Sequence, residues 1–306
     1  MGKYAINLDK QIERLRERGM IITDEAKAKE VLFDVGYYRL GFYWFPFECS
    51  YPRLVHRDHK FKENTNFDDA VKLYYFDFNL RSILLKYLSR VEINFRTILT
   101  YLVSNEYEDS PTWFVDPTVV NRSYIAKFDD NVYKPKFKRN PTIARHHRTH
   151  LNDRYAPAWK TVEFMTFGAV VTLYHSLNNI ELKQRIAKEF HINRVEVFEN
   201  YLNVILDIRN VCAHGNILFD YSPSRSIRRG PAMMQDVGVN QNLNGVLKVV
   251  CYFINEVSVH RYDNFIEEVY KLLSKDSYSE VVKDIIKKTS GINIADYKRD
   301  CKVDSK

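Results

Sequence analysis

Apolar residues along this chain recur mostly at steps of three and four, which is the spacing of one face of an α-helix. The longest run lies between Phe67 and Ser104, where apolar positions from Leu80 to Leu102 keep this spacing and predict one long core helix. Shorter runs with the same spacing predict helices at 8–18, 24–33, 164–177, 180–190 and 193–214, and further helices within 243–273. The pattern therefore predicts an all-α protein.

Three parts of the chain lack this spacing. Segment 106–158 holds five of the nine prolines and is predicted to be an irregular insertion, 222–242 is predicted to be a loop, and the residues from Lys288 onward are polar. The aromatic block at 36–47 predicts a buried helix or helix-turn. The predicted organisation is one helical bundle domain over 1–290, with the insertion at about 106–158 and additional N- and C-terminal helices, followed by a polar tail at 291–306.

The composition narrows the class of protein. The formal net charge is +7 with a pI near 9.0, which favours a polyanionic partner only modestly. The four cysteines, at 49, 212, 251 and 301, form no Cys-x-x-Cys pair, which argues against a zinc ribbon or a disulfide scaffold and fits a reducing compartment. The chain starts without an apolar signal-peptide run, and no stretch approaches the ~20 apolar residues that span a bilayer. We expect a cytoplasmic protein with no membrane partner.

The residues with the clearest chemistry stand at the end of the helix predicted at 193–214. Asn210 and His214 are four residues apart and share a helix face, whereas Arg209 is about 140° away from His214 and reaches that face through its long side chain. A guanidinium binds phosphate oxygens with a planar fork, and an imidazole transfers protons near neutral pH. The helix dipole favours a protonated His214, and Gly215 follows to end the helix. The pattern favours phosphodiester chemistry.

A purely structural role is the alternative for these residues. Because an Arg and a His five residues apart are common in helical proteins, His214 could satisfy free carbonyl groups at a helix end, and Arg209 could form a surface ion pair. Asp207 lies just upstream as a supporting acid. Arg225, Arg228 and Arg229 follow in the predicted loop, where they either extend a phosphate track or form a solvated basic loop.

A second basic cluster lies within the predicted insertion. Its cationic residues are accompanied by Tyr133, Phe137 and Tyr155, and the combination of cations and rings suits single-stranded or looped RNA. The residues predicted to contact RNA here are Lys134, Lys136, Lys138, Arg139, Arg145, His146, Arg148 and His150. The alternative is a solvated loop. His146 and His150 also have metal-ligand spacing, but only Asp153 stands nearby as a third ligand, so we expect RNA-facing or pH-sensitive surface histidines and no metal.

Glu92 has two candidate partners. It lies one helical turn before Arg96, which predicts an ion pair, and the alternative is an acid that orients Arg209. The aromatic block is interpreted as core or as a dimer interface, and Trp159, Phe164 and Phe167 are interpreted as core.

Four segments resemble the Abi (abortive infection) family of bacterial phage-defence proteins, of the AbiD/AbiF type. They occur in the order of that family and cover most of the chain up to about Tyr221. The segments are GYYRLGFYW at 36–44, FDFNLR at 76–81 running into RVEINFR at 90–96, PAWKTVEFMTFG at 157–168, and RNVCAH at 209–214.

This family is similar to the HEPN superfamily of helical domains, whose signature is Arg, a polar residue, three variable residues and His. The resemblance implies a HEPN-like bundle and a metal-independent RNase in which Arg209 and His214 are catalytic and Asn210 is the polar second position. It implies attack of a 2′-OH on the adjacent phosphorus, with 2′,3′-cyclic phosphate and 5′-OH ends and no cofactor. It also implies a homodimer with a composite site, since each chain has one motif.

Two other functions remain open. The protein could be an RNA-binding module that holds a structured or non-coding RNA without turnover, or a helical bundle that docks a partner or a nucleotide. A familiar nucleotide pocket would need a Gly-rich phosphate loop, and the sequence has none.

Overall fold

The computed structural model describes residues 4–53, 55–234 and 241–297. In this part of the chain it contains fourteen α-helices, four short 3-10 segments and, in place of β-strands, three isolated bridges. The helices are α1 (Leu8–Glu17), α2 (Glu25–Val35), α3 (Tyr37–Trp44), α4 (Phe67–Glu106), α5 (Arg122–Asn131), α6 (Pro135–Lys138), α7 (Pro141–Thr149), α8 (Ala158–Phe164), α9 (Phe167–His175), α10 (Ile180–Lys188), α11 (Val195–Ala213), α12 (Leu243–Val257), α13 (Val259–Leu273) and α14 (Glu280–Ser290). The predicted all-α fold is confirmed.

Helix α4 is the axis of the molecule. It has 40 residues and is about 60 Å long, and α3, α8, α9, α10, α11, α12, α13 and α14 all pack against it. Leu80, Leu84, Leu88, Val91 and Phe95 are buried along it, as their spacing predicts. Because helices from both ends of the sequence contact α4, it brings distant segments of the chain together.

The insertion at 106–158 is more ordered than the sequence predicts. Short helices α5, α6 and α7 are separated by turns, and asparagine side chains cap α5 and α7. Tyr133 is buried and lies 5.0 Å from Tyr155 and 5.2 Å from Phe137 between ring centroids. These three rings therefore form a small core for the insertion. The prediction of a stacking surface for RNA is wrong for Tyr133, which is buried, whereas Phe137 and Tyr155 are partly exposed.

Two aromatic residues interpreted as core lie at the surface. Helix α8 turns Ala158, Thr161 and Val162 inward, so Trp159 and Phe164 are exposed, whereas Phe167 on α9 is buried as expected. The aromatic block is likewise divided, since Tyr43 and Trp44 are buried and Tyr38 is exposed.

The C-terminal helices close the other side of the bundle. Helices α12 and α13 pack on each other and on α4, and Ile292 and Tyr297 beyond α14 are buried. The predicted loop at 222–242 is free of α-helix up to Met234 and has a 3-10 turn at Pro231–Met233, while 235–240 and the tail from 298 lie outside the described residues. No helix in the described ranges is long and apolar enough to cross a bilayer.

Candidate functional site

Helix α11 presents the Arg-Asn-His motif at its C-terminal end. Its inner face buries Ile205, Ile208 and Cys212, which leaves Arg209 and Asn210 partly exposed. His214 caps the helix, and its side chain is exposed to solvent. The predicted helix end at Gly215 is confirmed.

The backbone after the motif forms a tight helix ending. Gly215 has a φ of +66°, its N–H donates to the carbonyl of Cys212 at 3.2 Å, and the Asn216 N–H donates to the carbonyl of Val211 at 3.0 Å. These are the two hydrogen bonds of a Schellman motif, which needs a left-handed residue just past the cap. The ending fixes the backbone that carries His214.

The carboxylate of Glu92 on α4 lies between two arginines. Its Oε1 accepts a hydrogen bond from Arg96 at 2.9 Å, and its Oε2 lies 3.4 Å from Nε of Arg209. The Glu92 side chain is 14% exposed, so this ion pair is shielded from water, whereas Arg209 is 33% exposed. Arg96 also donates to the Met165 carbonyl at 3.0 Å, which ties the group to the segment between α8 and α9.

The geometry leaves part of the Arg209 guanidinium available. Its Nε faces Glu92 and its Nη1 donates to Oδ1 of Asn210 at 3.4 Å, and the described residues place no further partner on it. Arginine has five N–H donors in a fixed plane, so the remaining donors suit an external phosphate. The predicted Glu92–Arg96 pair and the alternative Glu92–Arg209 contact are both present.

A buried charged network holds the chain just beyond the motif. Asp77 forms an ion pair with Arg81, accepts the hydroxyl of Tyr43 at 2.8 Å, and accepts the backbone N–H groups of Leu218 at 3.0 Å and Phe219 at 2.5 Å. Burial raises the pKa of the Asp77 carboxyl, and the Arg81 guanidinium acts in the opposite direction.

Arg81 and a further arginine, Arg39, bind carbonyl groups of the same segment. Arg81 donates to Asn216 at 3.1 Å, and Arg39 on α3 donates to Gly215 at 2.5 Å. Sequence reasoning assigned no role to Arg39, Tyr43, Asp77 or Arg81. The feature of the sequence that indicates this network is the pair of opposite charges, Asp77 and Arg81, four residues apart inside the longest apolar run.

Cys212 lies inside the motif but is a packing residue. Burial raises the pKa of its thiol to about 12, so the thiol is protonated at neutral pH and is not a nucleophile.

Asp207 and the loop arginines face each other along α11. Burial raises the pKa of the Asp207 carboxyl, while Arg225 and Ser224 in the loop act to lower it. The Arg228 N–H donates to Asn200 at 2.8 Å, and Asn200 lies about 21 Å before His214 along the helix. Arg225, Arg228 and Arg229 are exposed, and the loop that carries them runs back along α11 from the motif.

The basic residues of the insertion form one exposed cluster, with one exception. His146 is buried, and its Nε2 lies 3.1 Å from Asp153, so it is not on the surface that the other residues form. The exposed members on and beside α6 and α7 are Lys134, Lys136, Lys138, Arg139, Arg145, Arg148 and His150. The His146 and His150 rings stack at 4.4 Å, and the described residues contain no group of three side chains suited to hold a metal ion.

The segments that carry the motifs meet at the C-terminal end of α11 and along the segment that follows it. Arg39 and Tyr43 come from 36–44, Asp77, Arg81, Glu92 and Arg96 from the two parts of α4, Met165 from 157–168, and the motif itself from α11. A family model described as Abi-like protein matches residues 30–220, which contain all of these residues and more than half of the chain. A search of the curated proteins and of the solved structures finds no match. The chain therefore belongs to the Abi-like protein family.

Proposed function

We propose that this protein is a HEPN-type endoribonuclease that acts in abortive infection. Membership of the Abi-like family suggests phage defence. The observation that carries the nuclease proposal is the position of Arg209, which is partly exposed and oriented by the shielded carboxylate of Glu92, five residues before an exposed His214 at the helix end. The site thus offers a pre-oriented cation and an accessible proton-transfer group on the last two turns of one helix.

The proposed reaction is an intramolecular attack within RNA. The 2′-oxygen forms a bond to the adjacent phosphorus, the bond from phosphorus to the 5′-oxygen breaks, and the products carry a 2′,3′-cyclic phosphate and a 5′-OH. One proton leaves the 2′-OH and one proton reaches the departing 5′-oxygen. Arg209 stabilises the negative charge of the phosphorane, Asn210 supports the guanidinium, and His214 transfers a proton. The reaction needs no metal ion.

A second copy of the chain would complete the proton transfers. A single imidazole that accepts the first proton has to move it to the leaving oxygen, whereas two facing motifs supply one acceptor and one donor. We therefore propose a homodimer in which the exposed ends of two α11 helices face one cleft.

The decisive experiment is incubation of purified protein with total cellular RNA in excess EDTA. Wild type is compared with His214→Ala and with His260→Ala, which removes an exposed histidine from the first turn of α13. We expect cyclic-phosphate ends from wild type and His260→Ala only, with unchanged melting temperatures. Cleavage by a folded His214→Ala protein would refute the assignment.

An RNA-binding module without turnover is the second candidate. The exposed cation cluster around α6 and α7 favours it, because such a surface binds phosphates whether or not the motif cuts. Equal RNA affinity of wild type and His214→Ala, with intact RNA in both, would support this function over the nuclease.

A further inference from the structure

A groove between α4 and α8 begins at Arg96, the residue that forms an ion pair with Glu92. It has a volume of about 360 Å³ and is bordered by Arg96, Tyr101 and Asn105 on α4 and by Trp159 and Glu163 on α8. Trp159 is 57% exposed and Tyr101 is 67% exposed. Two exposed rings from two different helices thus border one concave surface, and ligand sites are commonly concave and lined by aromatic side chains.

We propose that this groove binds a nucleobase of the RNA, next to the phosphate held by Arg209. The proposal rests on the proposed function, because it places the base relative to that phosphate. A volume of about 360 Å³ falls within the range of small-ligand sites. Stacking on aromatic side chains is the main mode by which proteins hold unpaired bases.

The groove connects directly to the motif. Arg96 borders the groove, and its guanidinium donates to Glu92, which in turn orients Arg209. The groove therefore begins within one helical turn of Glu92, the residue that orients the catalytic arginine. Filling the groove would press on Arg96, so base binding and the position of Arg209 are linked.

The charges favour a base over a phosphate in the groove. Arg96 and Glu163 contribute one charge of each sign, and Arg96 is already paired with Glu92. A phosphate would be repelled by Glu163, whereas the amino group of a base donates to a carboxylate. We therefore expect adenine, cytosine and guanine to bind better than uracil, which has no amino group and can donate to a carboxylate only through its N3–H.

Cations continue on the far side of α8. Lys160 follows Trp159, and its Nζ lies 3.5 Å from Nδ1 of His146 on α7. Helix α7, which carries part of the exposed cluster, thus packs beside α8, the helix that borders the groove. Phosphates on either side of the bound base would meet Arg209 in one direction and this cluster in the other.

The tryptophans make the proposal directly measurable. Trp44 is 2% exposed and Trp113 is fully buried, so Trp159 is the one tryptophan that a bound base can stack on. The experiment titrates His214→Ala protein, which prevents cleavage, with 12-nucleotide single strands of oligo(A), oligo(C) and oligo(U). We expect saturable quenching of tryptophan fluorescence by oligo(A) and oligo(C), with weaker binding of oligo(U).

Two variants in the same background separate stacking from general binding. Trp159→Leu should abolish the quenching and weaken oligo(A) binding, measured by anisotropy of a labelled strand, by about 5- to 150-fold. Phe33→Leu, which removes an even more exposed ring (84% exposed) from α2, should change neither. Glu163→Gln should reduce the preference for oligo(A) over oligo(U).

The outcomes distinguish this proposal from the nuclease proposal. Quenching that needs Trp159, in a protein whose wild type leaves RNA intact, would keep the base site and remove the nuclease. Wild-type cleavage with unchanged affinity and rate in Trp159→Leu would overturn the base site and keep the nuclease. Absence of any RNA binding would overturn both.

Discussion

Replacing Glu92 by Gln removes the charge that orients Arg209 while preserving the shape of the side chain. One oxygen of the carboxylate accepts a hydrogen bond from Arg96, and the other oxygen forms an ion pair with Arg209. A glutamine amide has one acceptor oxygen, and its NH₂ group would face a guanidinium. At most one of the two arginines therefore keeps its partner in this variant.

The stability lost in Glu92→Gln depends on how deeply the Glu92–Arg96 ion pair is buried. The Glu92 and Arg96 side chains are 14% and 11% exposed, so water replaces the lost bond only partly. Arg96 retains the Met165 carbonyl, which limits the loss to about one charged hydrogen bond, or about 1.5–3 kcal/mol. We expect a fall in melting temperature on the order of 5 °C. Loss of the orientation of Arg209 should lower kcat/KM for RNA cleavage by about 10- to 100-fold.

The assay pairs thermal unfolding with cleavage kinetics on a labelled RNA. The matched control is Glu280→Gln, which neutralises an exposed acid paired with Lys283 at 2.8 Å and should change neither quantity measurably. Wild-type kcat/KM in a folded Glu92→Gln protein would refute the claim that Glu92 orients Arg209 for catalysis and would leave Glu92 with a structural role only.

Three further predictions concern stability. Asp77→Asn leaves Arg81 buried without a countercharge and should lower the free energy of unfolding, measured by chemical denaturation, by about 3–5 kcal/mol. A loss below about 1 kcal/mol would contradict a stabilising role of this network. Gly215→Ala places a side chain at a φ of +66° and should lower the free energy of unfolding by about 1–2 kcal/mol. The control Gly41→Ala lies within α3, where the added Cβ would be 3.8 Å from the Trp44 ring, and should be neutral or stabilising by up to about 1 kcal/mol; equal effects of the two variants would show that backbone strain is not the cause. Burial lowers the pKa of His146 from 6.5, so below that pH the unfolded state takes up a proton that the folded state resists, and stability falls as the pH drops. His146→Gln should therefore flatten the plot of stability against pH between about pH 7 and pH 5, and an unchanged slope would exclude His146 as the source of this pH dependence.

Local sequence determined the helices and the position of the motif. Apolar spacing predicts α4 and α11 because a long helix must bury one continuous face, and Gly215 marks the end of α11 because a left-handed residue is needed there. The Glu92–Arg96 pair follows from spacing as well, since residues four apart on a helix are always neighbours.

Tertiary packing decided which side chains surround the motif. Trp159 on α8 and Phe167 on α9 are both aromatic, yet the first is exposed and the second is buried, because short helices have more than one possible inward face and the neighbouring helices select one. The contacts of Asp77 with Leu218 and Phe219 span more than 140 residues of sequence, and no local pattern specifies such a pairing. The sequence alone therefore determined that an Arg-Asn-His motif ends a helix. Only the packing of α3, α8 and α11 on α4 decided that Glu92 would orient Arg209, because contacts between helices depend on how whole faces fit together.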